Sequence, residues 1–309
     1  MKKITVVGAG RVGESTAQFI ASKDLCREIV LIDIRDGAAE GAALDIQEDA
    51  PLFRFDTRLI GGTDYALMSG SDLVIITAGV PRKPGMSRSD VLETNVAVTD
   101  TIVENTLKYA PDCKMLFVSN PVDILTYRAW QKTGWDRSRI FGQAGVLDST
   151  RMASFIALET GYSSLDIDAM VLGGHGDSMV PMMRYTTISG IPVSNFMDQK
   201  TIDDIVTRTR NGGAEILALR QNSSAFDAPA AAVAAMVDAI VNDRKRILPT
   251  VAILKNEYGC NELAIGVPCV LGKSGMEKVI NLDMNKEEQA NFENSVSAVE
   301  KDMEALAKL

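Results

Sequence analysis

The chain has 309 residues, 46% of them hydrophobic and 24% charged, which is the make-up of a globular protein with enough apolar material for two lobes. A formal net charge of −9 argues against non-specific attachment to nucleic acid or to an anionic membrane surface, and leaves a local basic pocket open. The four cysteines (Cys26, Cys113, Cys260, Cys269) include no Cys-x-x-Cys pair and have one histidine, His175, to join them, so no metal centre and no disulfide framework is expected.

Met1-Lys2-Lys3 leads into only four apolar or β-branched residues before Gly8, too short for the core of a secretory leader, and the expected compartment is the cytoplasm. Ile4–Val7 predicts a short buried strand and Val12–Ser22 a helix. Between them lies Gly8-Ala9-Gly10-Arg11-Val12-Gly13, a G-x-G-x-x-G fingerprint in the strand-to-helix setting that dinucleotide binding needs. Gly8 permits the turn, Gly10 lets a pyrophosphate approach the main chain, and Gly13 lets helix and strand pack closely. The helix N-terminus adds N–H donors and partial positive charge. Ile29–Ile32 predicts a second strand, and Asp33 follows it, 20 residues after Gly13. A carboxylate there accepts hydrogen bonds from the adenine ribose and repels a 2′-phosphate, which favours NAD over NADP. Arg35 is a neighbour able to receive that phosphate, so strictness toward NAD stays open.

Gly41–Glu48 predicts a helix, and Asp72–Thr77 and Met115–Val118 predict two more buried strands. Apolar strands alternating with helices predict a doubly wound parallel sheet covered on both faces, an α/β fold. After the third strand comes Pro81-Arg82-Lys83-Pro84-Gly85-Met86-Ser87-Arg88, a loop with three cations in seven positions and no acid. It falls on the ligand-bearing edge of the sheet and has the composition of a lid over an anionic substrate. Asn120-Pro121-Val122-Asp123 follows the fourth strand on the same edge. Asn120 can donate to a carbonyl or hydroxyl, or simply form a turn before proline.

Leu147–Thr160 predicts a helix near the boundary between residues 1–145 and a second, α+β domain, residues 146–309. Asp148 suits a helix cap, but Arg151 lies three positions on, on roughly the same face. Ile167–Leu172 and Met182–Ser189 predict strands. Between them, Gly173-Gly174-His175-Gly176-Asp177-Ser178 presents the single imidazole, the side chain whose ordinary pKa lies nearest neutrality. Ala230–Val241 predicts a buried helix. Pro229 and Asp238 within Ala228–Val241 argue against a bilayer span. Val251–Leu254 and Ala264–Leu271 predict an antiparallel pair, and Lys286–Leu309 a charged amphipathic helix.

Together these motifs resemble the lactate/malate dehydrogenase family, and more narrowly its lactate-dehydrogenase-like bacterial malate dehydrogenases, along the whole chain. The resemblance implies an N-terminal Rossmann domain binding NAD and a C-terminal substrate-binding and catalytic domain. It implies that Gly8, Ala9, Gly10, Arg11, Val12, Gly13 and Asp33 hold the cofactor, and that Asn95, Val118, Ser119 and Asn120 line its nicotinamide half. It further implies that His175 transfers the proton and Asp148 holds the imidazole. By the same resemblance Arg151 grips the C1 carboxylate, Arg88 polarises the C2 carbonyl, and Arg82 and Asn120 contact substrate, with no metal. A closed site with one more buried cation, Arg82, needs one more anion, which oxaloacetate supplies and pyruvate lacks. A lactate or other 2-hydroxy-acid dehydrogenase and a non-catalytic NAD-binding regulator are the competing readings. The small-residue stretches Gly41–Leu44 and Ala230–Ala235 permit close helix packing, and the resemblance implies a homodimer or homotetramer.

Overall fold

A computed structural model of the chain describes residues 1–80 and 90–309 in full and residues 88–89 as backbone. The first half alternates β1 (Lys3–Val7), α1 (Arg11–Ser22), β2 (Glu28–Ile32), α2 (Ala38–Glu48), the single turn α3 (Ala50–Phe53), β3 (Arg58–Gly62), β4 (Leu73–Ile76), α4 (Arg88–Tyr109), β5 (Lys114–Phe117), α5 (Val122–Thr133) and β6 (Ile140–Gln143). β1, β2, β4 and β5 consist mainly of Val, Ile, Leu, Met and Phe, and their inner residues, Thr5 included, are buried because helices cover the sheet on each side.

These six strands pair in parallel in the order β3-β2-β1-β4-β5-β6. That order reverses direction between β1 and β4, which opens a crevice at the carboxyl ends of those two strands. The Gly8–Gly13 turn leaves the end of β1 there.

The second half begins with α6 (Gly145–Thr160) and continues through five two-residue strands: β7 (Ile167–Asp168), β8 (Val171–Leu172), β9 (Val180–Pro181), β10 (Thr187–Ile188) and β11 (Ile191–Pro192). It ends with α7 (Gln199–Arg220), α8 (Asp227–Val241), β12 (Arg246–Lys255), β13 (Asn261–Gly272), β14 (Gly275–Val279) and α9 (Lys286–Leu306). The expected antiparallel pair is present in β12 and β13, and it is longer than its apolar stretches suggested. β12 pairs antiparallel with β6, so β12, β13 and β14 extend the parallel sheet to nine strands.

Two expected strands are corrected. Ile167–Leu172 is not one strand but β7 and β8, which belong to different sheets. Met182–Ser189 is mostly not extended: Met183–Tyr185 forms a 3₁₀ turn and only Thr187–Ile188 pairs. The turn is held from outside, by Arg184 on the Glu288 carboxylate and by the Tyr185 hydroxyl donating to the Asp283 carbonyl. Residues 230–235 lie on α8, whose Ala230, Val233 and Ala234 are fully buried against the chain's own core. Among the described residues no helix is long and apolar enough to cross a membrane.

Candidate active site

The turn after β1 is shaped by its glycines. Gly8 sits at φ +108°, and a Cβ there would stand 2.6 Å from the Ala78 main-chain nitrogen. A Cβ on Gly13 would overlap the Gly8 carbonyl oxygen, so α1 can lie this close to the turn only with glycine there. Gly10 has the opposite character. Nothing lies within 4 Å of where its Cβ would be, and that open space is at the start of α1, where Glu14 makes the first helical bond, to the Gly10 carbonyl. Ala9 is buried and Val12 is half-buried, while the Arg11 guanidinium reaches out over the Phe226 ring and toward Ser223.

Asp33 directly follows β2 and turns its carboxylate back to this turn, accepting from the Ala9 N–H at 2.9 Å. Arg35 donates to the same carboxylate through its main chain and its Nε, both at 3.0 Å, and to the Ala9 carbonyl. Burial works to raise the Asp33 carboxyl, but the bonds from Arg35 and Ala9 outweigh it and hold the group below the usual carboxylate range. Arg35 is therefore engaged with the acid in this structure. An open floor over a helix N-terminus beside an anionic carboxylate fits the pyrophosphate and ribose of NAD.

The neighbouring loops are braced to each other. Asn95, on α4, is buried; its Oδ1 accepts from the Val80 N–H at 2.8 Å, and its Nδ2 donates to the Asn120 carbonyl at 2.7 Å. Ser119 donates to the Ala78 carbonyl at 2.6 Å, Val118 donates through its main chain to Ile76, and Thr77 donates to the Gly8 carbonyl. The segments leaving β1, β4 and β5 are thus tied into one wall. Asn95 and Ser119 spend their polar atoms on main chain, and the exposed Asn120 is presented by them.

His175 is held next to the Asn120 loop, its N–H on Asp123. Asp148 is in the first turn of α6 and makes no cap hydrogen bond there. Its carboxylate instead receives His175 Nδ1 on Oδ2 at 2.9 Å and Arg151 Nη1 on Oδ1 at 3.3 Å. The Asp148 side chain is 2% exposed, against 21% for His175, so the carboxylate is sealed beneath an imidazole that still has an open side. The negative charge of Asp148 raises the His175 pKa against the opposing effect of burial.

Arg151, one turn on, fills the space over Gly212 of α7. A side chain at 212 would overlap the Arg151 Cδ and stand 2.7 Å from its Nε.

The main chain around His175 is clamped at three successive residues. Gly173 exchanges hydrogen bonds with Gly266 of β13, the Gly174 N–H donates to Ser295 of α9, and the His175 N–H donates to Asp123 of α5 at 3.1 Å. Asp123 is three residues past Asn120, so this bond joins the Asn120 loop to the histidine loop.

Arg82 lies outside the described residues, and Arg88 is placed only as the first residue of α4. Sequence reasoning missed Gly212, Ser295 and Gly266, and gave Asp123 no role. The Gly212-Gly213 pair inside a long helix was an available signal, because two adjacent mid-helix glycines are costly without a packing reason. Among the described residues, no group of three or more His, Cys, Asp or Glu could hold a metal ion.

Comparison with known proteins finds relatives along the whole chain. The family profile described as lactate/malate dehydrogenase, NAD binding domain, matches residues 2–142, and that described as lactate/malate dehydrogenase, alpha/beta C-terminal domain, matches residues 145–309. The malate dehydrogenase of Thioalkalivibrio sulfidiphilus is 67% identical over 99% of this chain and 100% of its own. That of Nitrosococcus oceani is 62% identical over 100% of this chain and 99% of its own. Among solved structures, the malate dehydrogenase of Salinibacter ruber superposes with a TM-score of 0.95 at 43% identity, covering 99% of this chain and 98% of that one. The lactate dehydrogenase of Cryptosporidium parvum, complexed with lactic acid and nicotinamide adenine dinucleotide, gives 0.96 at 36% identity, covering 100% and 98%.

Proposed function

The chain belongs to the lactate/malate dehydrogenase family, and from that premise we propose that it interconverts malate and oxaloacetate with NAD, using His175 to move the proton. The observation that carries the proton-transfer role is the Asp148–His175 contact, 2.9 Å long, with an imidazole raised in pKa and open on one side.

When bound, the cofactor would supply the hydride chemistry, NADH giving a hydride to the C2 carbonyl carbon of oxaloacetate and NAD⁺ accepting one from malate. The glycine turn would hold its pyrophosphate and Asp33 its ribose, with Asn95, Val118, Ser119 and Asn120 serving its nicotinamide half. As charge develops on the C2 oxygen, the free nitrogen of protonated His175 donates to it, while Nδ1–H stays on Asp148. Asp148 fixes the ring's orientation and favours the imidazolium, as buried acids beside catalytic histidines do. Arg151 grips the C1 carboxylate by two parallel hydrogen bonds, a geometry lysine cannot reproduce. Arg88 steadies the C2 oxygen, and Arg82 meets the C4 carboxylate of oxaloacetate. Leaving Arg82 desolvated and unpaired over pyruvate costs several kcal/mol, on the order of a thousandfold in preference.

The cofactor-binding and catalytic halves divide at residue 145, as 1–145 and 146–309. A dicarboxylate is the small-molecule partner. Self-association as a homodimer or homotetramer is supported by Leu44, Leu52 and Phe53, large apolar side chains left exposed on α2 and α3. Four free cysteines, three of them buried, support a reducing, cytoplasmic location.

The test is the initial rate of NADH oxidation with oxaloacetate and with pyruvate, on the native chain and on His175→Asn. Oxaloacetate should be strongly preferred, and His175→Asn should lose turnover by about a hundredfold or more with NADH affinity intact. Faster pyruvate turnover would overturn the role of Arg82, and near-native turnover in the variant would remove His175 from the reaction.

A further inference from the structure

The charge around His175 does not end with Asp148. We propose that Asp123 is a positioning residue that does more than anchor the main chain of His175, and that it also supplies the negative charge that keeps the imidazolium in place. This rests on His175 being the proton-transfer group.

Asp123 lies in the first turn of α5 and is buried. One carboxylate oxygen, Oδ2, accepts the His175 N–H at 3.1 Å. The other, Oδ1, is sealed from solvent with no hydrogen-bond partner among the described residues. Any buried acceptor, an asparagine or a serine, could take the N–H bond without the expense of desolvating a charge. A carboxylate with one oxygen unsatisfied is a costly way to hold a loop, and two other clamps, Gly266 and Ser295, already hold it. The charge itself therefore has a use.

The neighbouring charges show what that use is. Among the described residues, those that act most strongly on Asp123 are His175 and Asp148, and those that act most strongly on His175 are Asp148, Asp123 and Arg151, while the loop's own Asp177 is exposed to solvent. From α9, Ser295 and Val299 approach the histidine loop, and from β13 Gly266 does, and none of these three is ionisable. Asp148 is shared with Arg151. Within this buried group of described side chains, two carboxylates and one guanidinium leave one negative charge, and protonated His175 cancels it. Without Asp123 the same cluster would be neutral with His175 deprotonated and would carry a buried excess positive charge whenever the imidazole was ready to donate. Burial pushes the Asp123 carboxyl up to about 6, opposed by the His175 N–H bond and by the imidazolium. Its charge is thus present at neutral pH and fades on mild acidification.

The chain's single histidine makes the experiment direct. Full-length protein labelled at histidine with ¹³Cε1 and ¹⁵N gives one ring signal and one backbone amide signal, both followed against pH by NMR without any turnover. In Asp123→Asn, which keeps an acceptor for the His175 N–H, the ring titration midpoint should fall by about half a unit or more. A ring midpoint identical to wild type, even with a lowered melting temperature, would reduce Asp123 to a loop anchor and overturn the proposal. Should Asp123→Asn fail to fold, Asp123→Ser, which also offers the His175 N–H an acceptor without a charge, takes its place: a lowered ring midpoint is expected, and an unchanged one overturns the proposal. Failure of His175→Asn to lose turnover would instead strike the proton-transfer reading, and the two failures cannot be confused.

Discussion

Replacing Gly212 by alanine sets the demands of the fold against those of the site. Gly212 is buried in the middle of α7, and its missing side chain is the space that Arg151 occupies. A methyl group there would overlap the Arg151 Cδ and lie 2.7 Å from Nε, where carbon and nitrogen need about 3.5 Å or more, so the side chain must move by about 1 Å. Such a shift is easy for a long side chain and harmless to the helix, since alanine in place of a helical glycine contributes about 0.5–1 kcal/mol of stability. It is damaging to a bidentate grip on a planar carboxylate, where 1 Å of misplacement costs on the order of a hundredfold, or about 2.7 kcal/mol of transition-state binding. Gly212→Ala should therefore keep or raise the melting temperature, bind NADH within about twofold of native, and lose roughly a hundredfold in kcat/KM for oxaloacetate. Steady-state kinetics beside a thermal melt and an NADH fluorescence titration read all three. A stable variant with kcat/KM within about threefold of native would refute the placement of Arg151 as the carboxylate clamp.

Three further outcomes follow from the charges of the site. Oxaloacetate reduction needs protonated His175, so its rate should hold until pH rises through the raised His175 pKa, and malate oxidation should climb through the same point. Asp148→Asn removes the largest cause of that rise, and both limbs of the kcat/KM profile should move to lower pH; unmoved limbs would mean that Asp148 does not support the imidazolium. Arg82→Gln should cut the preference for oxaloacetate over pyruvate by about a hundredfold or more, and an unchanged ratio of the two kcat/KM values would end the charge-matching account of that residue.

The sheet was legible where both its faces are covered. β1, β2, β4 and β5 are short, mainly apolar runs, and a run of that kind flanked by turn residues has few alternatives. β3 and β6 were not foreseen, because Arg-Leu-Ile-Gly-Gly and Ile-Phe-Gly-Gln mix glycine and polar groups with their apolar residues. The glycines are there for packing across elements: a Cβ on Gly61 would overlap the Ala39 carbonyl of α2. Met182–Ser189 looked like a strand because its apolar residues allow one, but Glu288, 104 positions beyond Arg184, holds that segment in a turn. Nothing local in the sequence announces a partner that distant.

The same division explains which site residues could be read and which could not. His175, Asp33 and the glycine turn are visible because their chemistry is carried by a rare residue or by fixed local spacing. Asp148 and Arg151 are visible as a pair because a helix puts them on one face. Gly212, Ser295, Gly266 and Asp123 act by approaching from α7, α9, β13 and α5, and each makes its contribution only where the chain folds back on itself. Gly266 sits in β13, a strand of the extended nine-stranded sheet, and fixes Gly173 from that strand, two residues before the histidine. Ser295 fixes Gly174 from the C-terminal helix, and Asp123 fixes His175 from the first turn of α5. The histidine loop is thus bonded at consecutive residues to three elements on separate parts of the chain. An imidazole mounted in this way cannot follow small motions of any one element, which is what a proton donor needs if its distance to the C2 oxygen is to be set by the fold and not by the substrate.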